Sequence, residues 1–193
     1  MNIVNKEDRR VRKTKRALRE GLAGLLVEKS IQNITVKELT DKVDIHRSTF
    51  YANFADIYDL YSQIEEAVIQ EISDIFLENS TVDSKTFFEI LFKYISDNRN
   101  VCRMFLGKNV SPTFSGRLND LFKEACLVCW QNEYSPSGSI EELEYFALFF
   151  LSGSLAVIGK WVDGDFECSA EQLTKMFADI NDNFGEFIHK RLE

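Results

Sequence analysis

Apolar positions recur along this chain at intervals of three and four residues with polar residues between them, the periodicity of successive amphipathic helices. After a loose polar lead over residues 1–8, a helical pattern runs from about Arg10, with Leu18, Leu22, Leu25 and Leu26 as its stripe. Val36, Leu39, Thr40 and Val43 put a second, mostly apolar stripe on a short helix. Thr35 stands before it and Glu38 three residues on, the spacing of a capping box. Asp44 ends this helix, since aspartate tolerates the left-handed region that a tight turn needs. A second short helix starts at about Arg47, with Ile45, Phe50 and Phe54 spaced to face the first. Arg47, Ser48, Thr49, Tyr51 and Asn53 then point elsewhere: one cation and four hydrogen-bonding side chains. Two short helices joined by a tight turn, the second showing such a face, are the parts of a helix-turn-helix.

The pattern continues as helix to the end. Asp56 is a fair N-cap for a long fourth helix to about Glu78, followed by a break at Asn79–Ser84. Further helices are predicted over about Lys85–Asp97, Arg99–Leu106 and, opened by Ser111 and Pro112, on to about Glu133. Tyr134–Ser139 reads as a loop. Ser139 with Glu142 repeats the capping-box spacing ahead of Leu143–Val162, which is apolar nearly all round and so predicts a helix buried on several sides. Asp163-Gly164-Asp165 ends it as a turn. Ser169 with Gln172 caps a last helix whose stripe is Leu173, Met176, Phe177, Ile180, Phe184, Phe187 and Ile188. The expectation is an all-α protein of about nine helices. A three-helix helix-turn-helix domain occupies residues 1–55 and a larger helical bundle residues 56–193.

Charge sharpens this division. The net charge of −8 is unevenly spread: residues 1–54 hold twelve Lys/Arg against seven Asp/Glu, and residues 55–193 eleven against twenty-four. The basic end is drawn to a phosphate backbone while the acidic body is repelled from it, so the molecule docks by one end. The cations between Lys6 and Arg19 suit a phosphate strand or a minor groove; the plainer reading is a solubilising arm. The N-terminus has no apolar signal region, and the longest uncharged run, Tyr145–Gly159, is shorter than the ~20 residues of a spanning helix. These features, with four cysteines, fit a cytoplasmic protein with reduced thiols and no membrane partner.

Catalytic chemistry finds little support. Neither His46 nor His189 has a nucleophile or carboxylate beside it in sequence, and the nine glycines form no phosphate-cradling motif. Cys126-Leu-Val-Cys129 lies within an amphipathic helix with no second ligand pair, so two core thiols is the better reading than zinc or a thiol sensor. No metal or cofactor is expected. Fourteen of the sixteen phenylalanines lie after residue 54, as do both tryptophans; such residues fill a core, and apolar ligand pockets between bundle helices use the same ones.

Residues Thr35–Phe54 resemble the helix-turn-helix signature of the TetR family of bacterial transcriptional regulators, roughly T-v-x-x-I-A-x-x-A-G-V-S-x-x-T-h-Y-x-H-F. The matching residues are Thr35, Val36, Leu39, Val43, Ile45, Thr49, Phe50, Tyr51 and Phe54. The departures are Thr40 for alanine, Asp44 for glycine, His46 for serine and Asn53 for histidine, with Ile57 where the family opens its fourth helix with lysine. The resemblance implies a non-enzymatic homodimeric DNA-binding regulator, typically a repressor. Arg47, Ser48, Thr49 and Ala52 would face base edges, with Arg47 the best reader of guanine. Thr35, Lys37, Tyr51 and Asn53 would hold phosphates, and His46 would stand at the cap of the recognition helix. It also implies pairing of the last two helices with those of a second copy, helped by the small residues Ser152, Gly153, Ser154, Ala156 and Gly159. An effector pocket would lie among helices four to eight. The stretch Gly159-Lys160-Trp161-Val162 followed by Ser169-Ala-Glu-Gln is similar to a C-terminal type of the Firmicutes, among them dihydroxyacetone-kinase operon activators. Some of these answer to a protein partner in place of a small molecule.

Overall fold

A computed structural model describes residues 3–79, 82–107, 112–134 and 140–192, with side chains for 9–79, 82–107, 113–124 and 142–191. Among the described residues there are nine α-helices and no strand. They are α1 (Ile3–Leu26), α2 (Val36–Lys42), α3 (Arg47–Tyr51), α4 (Ile57–Glu78), α5 (Ser84–Asp97), α6 (Arg99–Leu106), α7 (Pro112–Tyr134), α8 (Ile140–Asp163) and α9 (Ala170–Leu192). The Ser139 cap and the 135–139 loop fall outside the described residues, as do the side chains of Cys126 and Cys129.

The chain packs as two compact units, residues 1–68 and 69–193. This division falls within α4, further along than the 55/56 boundary drawn from the sequence. Ile57, Leu60, Ile64 and Val68 on the first turns of α4 are all buried, so these turns pack with the first unit.

In the first unit α1 starts at Ile3 and not near Arg10, so residues 3–8 of the expected polar lead are already helical. No glycine or proline interrupts residues 3–20, and their lysines, arginines and glutamates are good helix formers, so nothing stops propagation. Leu18, Leu22, Ala23 and Leu25 form its buried stripe. Gly21 lets α2 come close: a Cβ there would collide with Val43 Cγ1 and lie 3.0 Å from Leu39 Cδ1.

In the second unit α5 runs along α9, α7 along α8, and α6 packs on α8. Asp83 caps α5, accepting from Thr86 Oγ1 at 2.6 Å and from its backbone N–H at 3.0 Å. These two bonds, the hydroxyl's first, hold its carboxyl below the usual range. Rings fill the core. Phe92 is fully buried, with ring centroids of Phe177 at 4.9 Å, Trp161 at 5.5 Å and Phe88 at 6.2 Å. Gly159 brings α6 against α8, since a Cβ there would sit 3.0 Å from Leu106 O. At least this one of the small α8 residues therefore serves packing inside the chain.

Two expectations about the last helices need correction. α8 is not buried on several sides. Leu143, Ala147, Leu151, Ile158, Trp161 and Val162 face the core, whereas Tyr145 and Phe149 are 66% and 74% exposed. Likewise the α9 stripe is split: Leu173, Phe177 and Ile188 are buried, but Met176, Ile180 and Phe187 are exposed. In both helices apolar side chains cover more of the circumference than one protomer's core can use.

The turn between α8 and α9 is tight and unusual. Asp165 and Phe166 have φ of 54° and 61°, a region that side-chain-bearing residues seldom occupy, least of all an aromatic. It is held from several sides. Trp161 Nε1 donates to Cys168 O at 2.7 Å, Phe166 N to Trp161 O at 3.0 Å, and Arg103 Nη2 to Asp165 Oδ1 at 2.7 Å. The Phe166 ring packs edge-on to Trp161 with the Arg99 guanidinium over it at 4.5 Å. After it, Ser169 and Gln172 form the expected capping box in full: Gln172 N donates to Ser169 Oγ at 3.1 Å, and Ser169 N to Gln172 Oε1 at 3.0 Å.

Candidate nucleic-acid interface

The site is built from α2, the turn after it, and α3. Thr35 Oγ1 accepts from Glu38 N at 3.2 Å, which is one half of the predicted capping box. The other half is missing, because the Glu38 carboxylate is taken by Lys29 from the segment before α2. That hydrogen bond from Lys29, outweighing partial desolvation, holds the Glu38 carboxyl below its usual range. Thr40, in the usual place of alanine, is buried. Its hydroxyl lies 2.8 Å from Val36 O and 3.0 Å from Lys37 O, so its one proton is satisfied within the helix.

Asp44 has φ of 53°, the left-handed turn residue that the pattern demanded. The chain then doubles back, with Ile45 N donating to Thr40 O at 3.0 Å. His46 occupies the N-cap of α3 with extended backbone and makes no side-chain cap bond, as its departure from serine predicts. α3 is five residues long. Phe50 is buried beneath it with the Phe54 ring at 5.6 Å and the edge of Tyr51 at 5.4 Å. That anchor turns the opposite side outward: His46, Arg47, Ser48, Tyr51 and Ala52 are all exposed, and Thr49 is half-buried. Thr35 and Lys37, on the first turn of α2, are exposed as well. Arg47 and Lys37 form no ion pair among the described residues. Asn53 differs from expectation: it is half-buried, and Nδ2 donates to Thr49 O at 2.8 Å, leaving one of its two N–H bonds for anything else. Ile57, at the family's lysine position, is buried, and its neighbour Tyr58 is exposed.

Three supporting contacts escaped the reading of the sequence. Gly21 sets the approach of α1 to α2, as described above. Asp56 is the expected N-cap of α4, accepting from Asp59 N at 2.8 Å; the unforeseen part is the return bond after α3, in which Ala55 N donates to Asp59 Oδ2 at 2.8 Å. The Ala55 bond is the main reason that the Asp59 carboxyl lies below its usual range. The D-x-x-D spacing was a visible signal for this cap. Third, Lys15 on α1 lies over the Phe54 ring at 5.8 Å, tying the basic helix to the foot of α3.

Among solved structures the fold is similar to a TetR transcriptional regulator from Streptococcus agalactiae. The two are 21% identical, with a TM-score of 0.61 over 92% of this chain and 98% of that one. It is similar also to a transcriptional regulator from Aquifex aeolicus, at 18% identity and a TM-score of 0.69 over 86% and 96% of the two chains. A third is the dihydroxyacetone kinase operon activator DhaS, at 15% identity and a TM-score of 0.58 over 93% and 98%. These likenesses establish the fold. No curated protein sequence matches the chain. Residues 82–183 match a TetR family profile described as a transcriptional regulator C-terminal region. The family consists of DNA-binding regulators without enzymatic activity. The profile covers more than half of the chain and lies apart from the helix-turn-helix that carries the resemblance at the other end, and the protein belongs to the TetR family of transcriptional regulators.

Proposed function

We propose that the protein is a repressor that binds a near-palindromic operator as a homodimer and is released by an effector acting on the second unit. The observation that carries the DNA-binding part is the outward face of α3. Arg47, Ser48 and Ala52 are exposed over the buried Phe50, within the cationic segment of an otherwise acidic chain. In this reading Arg47 offers a planar pair of donors to guanine, while Ser48, Thr49 and Ala52 meet neighbouring base edges. Thr35, Lys37, Tyr51 and the remaining N–H of Asn53 hold phosphates, and His46 lies at the edge of the groove. The exposed apolar stripes of α8 and α9 supply the homodimer surface. α8 is the one helix among the described residues long and apolar enough to cross a membrane. Its inner face packs on α6 and α7, so it offers a single apolar stripe to a partner and not a lipid-facing circumference.

Selection of bound duplexes from a random pool tests this reading. The expected product is an inverted repeat with half-sites about one helical turn apart, roughly 34–36 Å, or somewhat more. Affinity should fall with salt by ~0.9 log units per log unit for each phosphate neutralised. Absence of salt-sensitive binding to any duplex would end it.

A second reading, an activator or a regulator controlled by a protein partner, is favoured by one observation. Between α4, α5 and α7, where an effector would sit, Phe76 packs on Phe87 and Phe122 with ring centroids at 4.7 Å in each case. The similarity in fold to an operon activator is compatible with this reading. Pull-down from a native extract separates the two.

A further inference from the structure

The exposed stripe of α8 has a direction. Glu142, Tyr145, Phe149, Gly153, Ala156 and Lys160 follow one another at three and four residues and so share one face. From Tyr145 to Phe149 that face is bulky and apolar, whereas at Gly153 and Ala156 it is small. A Cβ built on Gly153 meets nothing within 4 Å. A carboxylate stands at the start of the stripe and an exposed lysine at its end. Glu142 Oε1 already accepts from Arg191 at 3.2 Å and keeps 37% of its side chain exposed. Lys160 has no ion pair among the described residues.

A twofold interface must be complementary to itself. If the axis ran along the helix, Phe149 would oppose Phe149, Gly153 would oppose Gly153, and the two Lys160 would repel. If the helices run antiparallel, positions equally far from the axis oppose each other, so that a bulky Phe149 can meet a small Gly153. Only one register also pairs the charges. With the axis level with Leu151, position 149 opposes 153, 145 opposes 157 and 142 opposes 160. Moving the axis to Gly153 would set Lys160 opposite Phe146, away from any carboxylate on the stripe.

Resting on the homodimer reading above, we propose that two copies of α8 cross antiparallel about an axis at Leu151. Phe149 of each copy seats over the partner's Gly153, and Lys160 meets the partner's Glu142. The cleft that receives the partner lies between α8 and α9. It is lined by Tyr145, Phe149, Gly153, Val157, Met176 and Ile180 and has a volume of about 730 Å³.

Cysteine pairing with a mass measurement tests the register. Phe149→Cys and Gly153→Cys chains are co-expressed or made separately, then oxidised with copper phenanthroline, with the unsubstituted chain as background. The co-expressed pair should yield covalent dimer at least about tenfold above either variant alone, because a disulfide tolerates only ~4.4–6.8 Å between Cα atoms. Efficient linking of Gly153→Cys to itself would move the axis to Gly153 and overturn the proposal. So would preferential linking of Phe149→Cys to Ile180→Cys, which would pair α8 with the partner's α9. Light scattering separates the two levels of failure. A dimer without the 149–153 link overturns the register alone, whereas a monomer at micromolar concentration overturns the homodimer reading too. As a check without cysteines, Lys160→Glu should raise the dimer dissociation constant about tenfold, and adding Glu142→Lys should bring it back. Equal weakening by both single variants with no rescue in the double variant would count against the charge pairing.

Discussion

The first unit and the second are both all-helical, but they are held together by different means. In the first, α2 has seven residues and α3 five, far below the length at which a helix persists by itself. Their stability lies in ends and neighbours: the Thr35 cap, the left-handed Asp44, the Asp56–Asp59 cap, and the close approach at Gly21. In the second unit the helices other than α6 are long, and rings interlock around the buried Phe92 in its core. A small reading surface thus depends on exact local geometry, and the body depends on filled volume.

Four substitutions or conditions test this contrast, from the largest expected effect to the smallest. Phe92→Ala should cost about 3–5 kcal/mol in denaturant unfolding, since it empties a ring-sized volume from a fully packed site. Gly21→Val should cost about 1–3 kcal/mol by overpacking against Val43 and Leu39, and should impair duplex binding beyond that cost by displacing α2. If Gly21→Val were neutral in both measurements, geometry at the α1–α2 contact would not govern the head. Arg47→Ala should leave unfolding unchanged and cost about 1–3 kcal/mol at the selected operator, with preference relaxed at one base pair. Uniform weakening at all sequences would make Arg47 a phosphate contact. The smallest effect is that of acid. Glu38, Asp59 and Asp83 all have lowered carboxyls in the folded chain, so each contributes stability that is present above its unfolded pKa. That contribution disappears as pH falls through the lowered folded values. Because these groups are exposed, Glu38→Gln or Asp59→Asn should flatten the acid limb of the stability profile only slightly.

The sequence was most informative where one residue dictates one backbone state. The left-handed turn could be read from Asp44, the start of α2 from Thr35, the cap of α9 from Ser169 and Gln172, and the end of α4 at Glu78 from the break that begins at Asn79. It was least informative where the outcome depends on a competitor elsewhere in space. Glu38 could cap Thr35 or bind Lys29, and only the approach of the α1–α2 segment decides for Lys29. Asn53 looked free to donate outward, but the carbonyl of Thr49 one turn back engages it. Gly21 reads as an unremarkable helical glycine until α2 is placed against it. The apolar circumference of α8 has the same origin. Periodicity reports how much surface is apolar but not whether the same chain covers it.

The corner at Asp165–Phe166 has one more consequence. Two successive residues in a rarely populated conformation, locked by Trp161, Arg103 and Arg99, make a rigid elbow and not a hinge. The outward stripes on either side of it are therefore already aligned in an isolated protomer. If two copies pair as proposed, each has little chain left to immobilise, and association would forfeit correspondingly little entropy.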